Sequence, residues 1–451
     1  MRHSGMITGL ATLLALFFLA SCITTDPTLG SALVSDSQDI TIQTVTIDLP
    51  LSESRTAADL QSRISSGITV GNIGSDFYSE GLMSVNPAVD SVVWGTNPVV
   101  RKIYLTFTCD STQAMFDDQL HIPQNLYVHR LNFELDSTHI NGTQARFQTA
   151  YYDPEPVSLG GSVFTGDDTW TVELKKEIGE ELLRIPMETR DSAELFMKQF
   201  YGFCLRTDMP DDPRIAPDNS GRINQFDLSN SFLYLSWDYT DDDGYRKTTT
   251  TYFQLGQYFA LNIYRNLRDD DASDDSLLVQ GLSGSKPRIE AALLRNTIAS
   301  WAQARNLPLE NLVIAKATLE FPFEYGGDMH QLDHYAASLY PCKRAIVDDA
   351  YPYYAPLDEL GESSVENGNL NRSLLVYKAG ISFYLQDLLK KEAGSITDED
   401  DLWLMPTLSY YNSTTGTTYY YTDNVYYSQT RLNGTSALRH PVLKLTYTLL
   451  K

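Results

Sequence analysis

Basic residues are scarce in this chain of 451 residues: 34 Lys and Arg stand against 58 Asp and Glu, giving a formal net charge of -24. Nucleic-acid binding through counterion release needs a basic footprint, so DNA and RNA are excluded as partners. Cysteine is scarcer still, at four. The spacing of Cys22, Cys109, Cys204 and Cys342 matches neither a CxxC pair nor a zinc-ligand set. Beyond the first 22 residues no apolar run approaches the roughly 20 residues a membrane helix needs, so none is expected. A GxSxG elbow, a P-loop and a dinucleotide fingerprint are all missing, and the chain reads as no enzyme. Carboxylate pairing for glycoside hydrolysis stays open only because acidic residues are so many.

What is present is an ordinary globular composition, 42% hydrophobic and 20% charged, which excludes wholesale disorder. The N-terminus, MRHSGMITGLATLLALFFLASC, carries Arg2, a short apolar stretch over residues 10–20 and a small residue before Cys22. That is the outline of a signal peptide over residues 1–21. Leu19-Ala20-Ser21-Cys22 resembles a bacterial lipobox, which makes Cys22 the expected lipid attachment site and the lipid the expected link to a membrane. Residues 22–38 read as a polar tether.

Period-two patterns dominate the remainder. Ile103, Leu105, Phe107 and Cys109 alternate in KIYLTFTC; so do Leu233, Leu235 and Trp237 in FLYLSWDYT, and Leu443, Leu445 and Tyr447 near the end. Strands with one buried and one wet face point to antiparallel sheets. The fold class is therefore mainly β: two antiparallel, jelly-roll-like β-sandwich domains over residues 39–268 and 277–451, divided at the acidic stretch LRDDDASDDS. In the opening DITIQTVTIDL, the change of phase between Ile42 and Val45 predicts a bulge. A few short crossover helices are expected in DSAELFMKQF, with Asp191 and Glu194 as a capping box, in residues 289–305 with Ile289, Leu293, Ile298 and Trp301 inward, and in QDLLKKE.

Several segments in order, DPTLGSALV, ELFMKQFYGFCLR, ALNIYRN, LLVQGLSGSKPRIEA, LVIAKATLEFP, ISFYLQDLLK and RLNGTSALRHPVLKLTYTLLK, resemble the domain-of-unknown-function family 4270 of Bacteroidetes lipoproteins. The resemblance implies an outer-membrane location and brings no catalytic motif. Ile23-Thr24-Thr25 after the cysteine departs from the acidic cluster of surface-exported lipoproteins of that phylum, so the periplasmic and surface faces both stay open. The phylum also O-glycosylates exported proteins at short Asp-Ser/Thr motifs, which on this chain implies Ser91, Ser111, Ser137, Ser192 and Ser276 as candidates.

Three constellations bear on chemistry. His330 and His334 in HQLDH have metal-ligand spacing on a helix but lack the HExxH glutamate, and a polar loop is the expectation. The acidic stretches 238–246 and 395–403 match calcium loops only in part and read first as turns, leaving no expected cofactor or metal apart from this faint calcium signal. The stretch LSYYNSTTGTTYYYTDNVYYSQ places Tyr410, Tyr411, Tyr419, Tyr420, Tyr421, Tyr426 and Tyr427 around a Gly416 turn, so its arms are expected to pair as a hairpin. Alternation then puts some rings on a wet face, where they can contact a glycan or an envelope protein, or serve simply as strand residues. The sequence thus reads as a lipid-anchored binding or adhesion module, with a glycoside hydrolase-like enzyme or a structural envelope subunit as the rival readings.

Overall fold

The computed structural model describes residues 42–56, 67–73, 77–109, 122–139, 147, 149–160, 162–208, 222–266, 276–282, 284–327, 329–347, 351–424 and 426–449. In chain order the strands are β1 (Gln43–Asp48), β2 (Ser52–Thr56), β3 (Gly67–Ile73), β4 (Phe77–Pro87), β5 (Thr96–Cys109), β6 (Gln124–Arg130), β7 (Ser162–Phe164), β8 (Thr169–Glu173), β9 (Phe203–Thr207), β10 (Ile223–Thr240) and β11 (Arg246–Asn266). They continue with β12 (Ser276–Gln280), β13 (Ser285–Ile289), β14 (Leu312–Pro322), β15 (Leu339–Val347), β16 (Tyr351–Pro356), β17 (Val376–Gly380), β18 (Leu402–Asn412), β19 (Thr417–Thr422), β20 (Gln429–Asn433) and β21 (Val442–Leu449). The fold is mainly β, with antiparallel sheets and few short helices.

Among the described residues β3 to β11 form a nine-stranded sheet in the order β7-β6-β9-β4-β11-β10-β5-β8. In addition β3 pairs with both β10 and β4, so β3, β4, β11 and β10 close a hydrogen-bonded ring. Alternation turns Ile103, Leu105 and Phe107 of β5, Leu233, Leu235 and Trp237 of β10, and Trp170 and Val172 of β8 into one core. Each such fully buried side chain contributes about 1.5–3 kcal/mol. The helix Lys176–Arg184 covers this core with Ile178 and Leu182. The i, i+4 spacing of those two residues was the signal for a helix absent from the sequence reading. Gly179 lets this helix approach closely, since a Cβ there would meet Val100 and Leu235 at 2.9 and 3.0 Å.

The second core lies between the sheet β1-β21-β14-β17 and the sheet β16-β15-β18-β13-β2, with β19 added on β18. The helices Ala291–Gln303 and Ser382–Lys390 pack their buried residues into it. Phe77 and Tyr264 of the first sheet meet Tyr427 and Leu282 of the second region in a small shared cluster.

Several expectations differ from what is observed. β1 and β2 pair with β21 and β13, so by strand pairing residues 43–56 join the second region, not a domain beginning at residue 39. The first strand among the described residues fills the edge beside the last of them. β1 carries no bulge: its register runs unbroken from Gln43 opposite Tyr447 to Asp48 opposite Val442, and Ile47 alone of the two phases is deeply buried within it. The expected capping box is not what caps this helix; the N-cap lies one residue on. Ser192 is the N-cap of the helix Ala193–Gln199, accepting from the Leu195 amide at 3.4 Å, while Glu194 pairs with Lys198 at 2.6 Å. In the helix Ala291–Gln303 the buried face is Ala291, Leu294, Ile298 and Ala302, with Leu293 exposed. The boundary stretch 267–275 lies outside the described residues. No helix among the described residues is long and apolar enough to cross a membrane.

Candidate functional site

β18 and β19 pair as a hairpin, with Tyr410 opposite Tyr419, Leu408 opposite Tyr421 and Ser409 opposite Tyr420. Asn412 builds the turn: its Oδ1 accepts from the amides of Thr414 and Thr415 at 2.9 and 3.3 Å, and its carbonyl accepts from Gly416 at 2.8 Å. Gly416 supplies the φ of +69° the turn needs. Directly opposed residues share a face and alternate residues change face. Leu408, Tyr410, Tyr419 and Tyr421 therefore form one strip, and Tyr411 and Tyr420 lie on the other side.

Both faces of this arm are wet. Tyr410, Tyr411, Tyr419, Tyr420 and Tyr421 are 58%, 62%, 50%, 38% and 44% exposed. None of the five stacks on another aromatic ring, and none of their hydroxyls is hydrogen-bonded, among the described residues. Tyr420 is the least exposed because its ring lies over Gly361, where a Cβ would come within 2.7 Å of it. The base of the arm is fixed: Thr422 Oγ1 donates to the Tyr354 carbonyl at 3.2 Å, Thr407 and Ser338 hydroxyls meet at 2.9 Å, and the Asp423 amide donates to Pro406 at 2.9 Å.

At that base lies a cleft of about 170 Å³, lined among others by Asp333, Ala337, Leu408, Asp423, Tyr426 and Ser428. Asp423 accepts from the Tyr426 amide at 2.8 Å. Asp423 also acts on Lys286, a fully buried ammonium whose Nζ donates to the carbonyls of Leu282 and Gly284 at 2.9 and 3.0 Å. Burial pushes the Lys286 pKa down to about 7, and Asp423 is the first influence opposing it.

The seven tyrosines therefore separate into three settings. Five stand on the arm, Tyr426 lines the cleft half-buried, and Tyr427 lines it as a buried residue with its ring 4.6 Å from that of Phe77. The Tyr427 hydroxyl donates to Gln429 Oε1 at 3.2 Å and accepts from Gln280 at 3.4 Å; the side chain lines the floor of the same cleft while its ring joins the two regions.

Elsewhere the acidic and histidine motifs are absorbed locally. Met329–His334 is a 3₁₀ helix and not the α-helix that metal-ligand spacing needs; Asp333 pairs with Arg372 at 2.7 Å. Asp241 closes the β10–β11 turn by accepting from the Asp243 and Tyr245 amides and pairing with Lys247. Asp400 lies between Lys391 and Lys343 at 2.6 and 3.1 Å. Burial opposes its ionisation, but the hydrogen bonds from Lys391 and Lys343 outweigh that and hold its carboxyl below the usual range. Asp401 binds Arg288 and the Ala291 amide. No group of three or more His, Cys, Asp or Glu suited to a metal occurs among the described residues.

Of the serines, Ser91 donates its amide and hydroxyl to Asp191 at 2.8 and 3.2 Å, and Ser192 is engaged as a helix cap. Ser137 is exposed in a loop, and Ser276 accepts from Arg431 at 3.4 Å. Ser111 and Cys22 lie outside the described residues. Cys109, Cys204 and Cys342 are buried free thiols.

Two features escaped the sequence reading. Tyr104, Tyr234 and Tyr252 are directly opposed across β5, β10 and β11, an aromatic row whose signal was the outward phase of KIYLTF and FLYLSW. The second is a buried network on β4. Tyr78 donates to Glu80 at 3.1 Å and accepts from Arg206 at 3.2 Å, with Arg206 and Arg265 at 3.5 and 3.7 Å from Glu80. Burial raises the Glu80 pKa against the pull of both arginines. β4 is covered on both faces, which a period-two reading does not anticipate.

The fold defines a mainly β protein with an exposed aromatic arm. No family model, curated protein or solved structure matches the chain.

Proposed function

We propose that this chain is an outer-membrane lipoprotein, tethered through a lipid on Cys22, that works without catalysis as a binding module for a glycan held on the tyrosine arm. The observation that carries this reading is the set of five exposed, unstacked tyrosines on a hairpin that, among the described residues, is fixed at its base. Their exposure serves no core, and leaving large apolar rings in water has a cost that a stacking partner removes. Residues 402–422 contain no charged side chain in a chain of net charge -24. The tyrosines are instead interspersed with Ser, Thr and Asn, a combination matched to an uncharged, polyhydroxylated ligand more than to a charged protein surface.

Palmitate labelling of cells producing the wild-type chain and Cys22→Ala tests the anchor, and equal labelling of the two rejects it. A glycan array probed with wild type and Tyr410→Ala/Tyr421→Ala tests the binding. The expected result is a set of neutral glycans retained by wild type and lost by the variant. Retention of an envelope protein in place of any glycan would transfer the arm to the protein-contact reading.

A further inference from the structure

We infer that the cleft at the base of the arm receives the end sugar of a neutral glycan whose following residues lie along the strip of Tyr410, Tyr419 and Tyr421. This rests on the glycan reading above and adds to it where the chain end goes and which chemistry selects it. The unbroken register of β18 and β19 places Leu408 on the same face as Tyr410 and directly opposite Tyr421, and Leu408 lines the cleft. Successive positions on one face of a strand are about 7 Å apart, so strip and cleft form one continuous path. The cleft volume of about 170 Å³ falls below the roughly 300–1,000 Å³ of sites for drug-sized ligands, a size for one ring and not for a chain.

Its polar groups include acceptors suited to a hydroxylated ring. Asp333 and Asp423 contribute carboxylates, and Ser428, buried in the wall, has an Oγ with no hydrogen-bond partner among the described residues. A buried polar atom left unpaired is costly, so a ligand hydroxyl that reaches it contributes to binding. Sugar hydroxyls donate to these acceptors, whereas an acidic sugar brings a further negative charge beside the Asp423 carboxylate, Asp333 being already paired with Arg372 at 2.7 Å.

Calorimetry of the mature chain with neutral hexose oligosaccharides, the same oligosaccharides blocked at the terminal sugar, and acidic oligosaccharides of equal length tests this. Ala337→Trp fills the mouth from an exposed position, and Ser428→Ala removes the unpaired hydroxyl; neither removes a side-chain hydrogen bond, and circular dichroism checks that each folds. The expected result is neutral binding weakened at least tenfold by blocking the terminal sugar, by Ala337→Trp and by Tyr410→Ala, with a smaller loss for Ser428→Ala. Neutral binding that depends on Tyr410 but ignores blocking and Ala337→Trp would reject the cleft and leave the arm reading standing. Binding of no neutral oligosaccharide rejects both, and preference for the acidic set rejects the cleft chemistry.

Discussion

Two antiparallel hairpins in this molecule are rich in tyrosine and put it to opposite uses. On β10–β11, Tyr234 stacks on Tyr104 at 5.1 Å with rings 16° apart, and Phe232 meets Tyr252 edge-on at 5.4 Å. Lys102 lies 5.0 Å over the Tyr104 ring. On the β18–β19 arm the five tyrosine rings touch no other aromatic among the described residues. The residue types are the same; the neighbours differ. β10 and β11 continue into a sheet on both sides, so outward rings find partners on β5 while Leu233, Leu235 and Trp237 face the core. The β18–β19 arm extends beyond its sheet, and its alternation has water on either side. Ring stacking across strands is a contribution to stability, and its absence leaves aromatic surface for a ligand.

The contrast is open to breaking by mutation. The largest expected effect is beneath the stacked row. Trp237 is fully buried, donates its indole N–H to the Trp94 carbonyl at 3.0 Å and packs edge-on against Trp94 at 4.7 Å. Trp237→Ala is expected to destabilise the protein by about 3–5 kcal/mol in chemical denaturation. Next comes Tyr234→Ala, which removes the middle ring of the row and is expected to cost roughly 1–3 kcal/mol. Tyr410→Ala and Tyr419→Ala, chemically the same change, are expected to leave stability within about 0.5 kcal/mol of wild type while abolishing retention on the glycan array. Equal destabilisation by Tyr234→Ala and Tyr410→Ala would collapse the distinction, since the arm would then be held by its rings.

A substitution comparable in size to Tyr234→Ala tests the base of the arm. Gly361 has a φ of +101° and lies against the Tyr420 ring. Gly361→Ala combines backbone strain of about 1–3 kcal/mol with displacement of that ring. The expected readout is a modest loss of stability, with NMR shifts at Tyr420 and little change at Tyr410.

How far the sequence reached follows the same physics. Alternation in KIYLTFTC and FLYLSW located strands and their inward faces, because a sheet with one wet face enforces period two. The hairpin at residues 402–422 was legible for the same reason, with Gly416 marking its turn. What alternation does not encode is which strands become neighbours. The pairing of β1 with β21 joins residues some 400 apart, and nothing local in DITIQTVTIDL specifies that partner. β4 defeats the rule altogether, since both its faces are covered and Ser79, Glu80, Ser84 and Asn86 are buried along with its apolar residues. Tyr427 was grouped with the arm by its place in a tyrosine-rich string, but its ring belongs to the contact with Phe77. The cleft draws residues from the 329–338 loop, β18 and the segment after β19, an assembly that only the fold creates.

The turns of the two hairpins carry the smallest and most local difference. In β10–β11 the turn is closed by a carboxylate: Asp241 accepts from the Tyr245 amide at 2.8 Å and pairs with Lys247 at 2.6 Å. In β18–β19 the neutral amide of Asn412 does the same work. The hydrogen bond from Lys247, followed by that from the Tyr245 amide, holds the Asp241 pKa below its ordinary value. A carboxyl with a depressed folded-state pKa contributes stability that is present above the unfolded value of about 3.9 and is lost as pH falls through the folded value. The Tyr245 amide proton shift is therefore expected to titrate with a midpoint below about 3.9, and Asp241→Asn should abolish that titration while keeping the turn. The Thr414 amide, bound to Asn412, should show no matching transition. A Tyr245 midpoint at or above the ordinary aspartate value would mean that the charged turn gains nothing from Lys247, and that the two turns differ in residue name but not in behaviour.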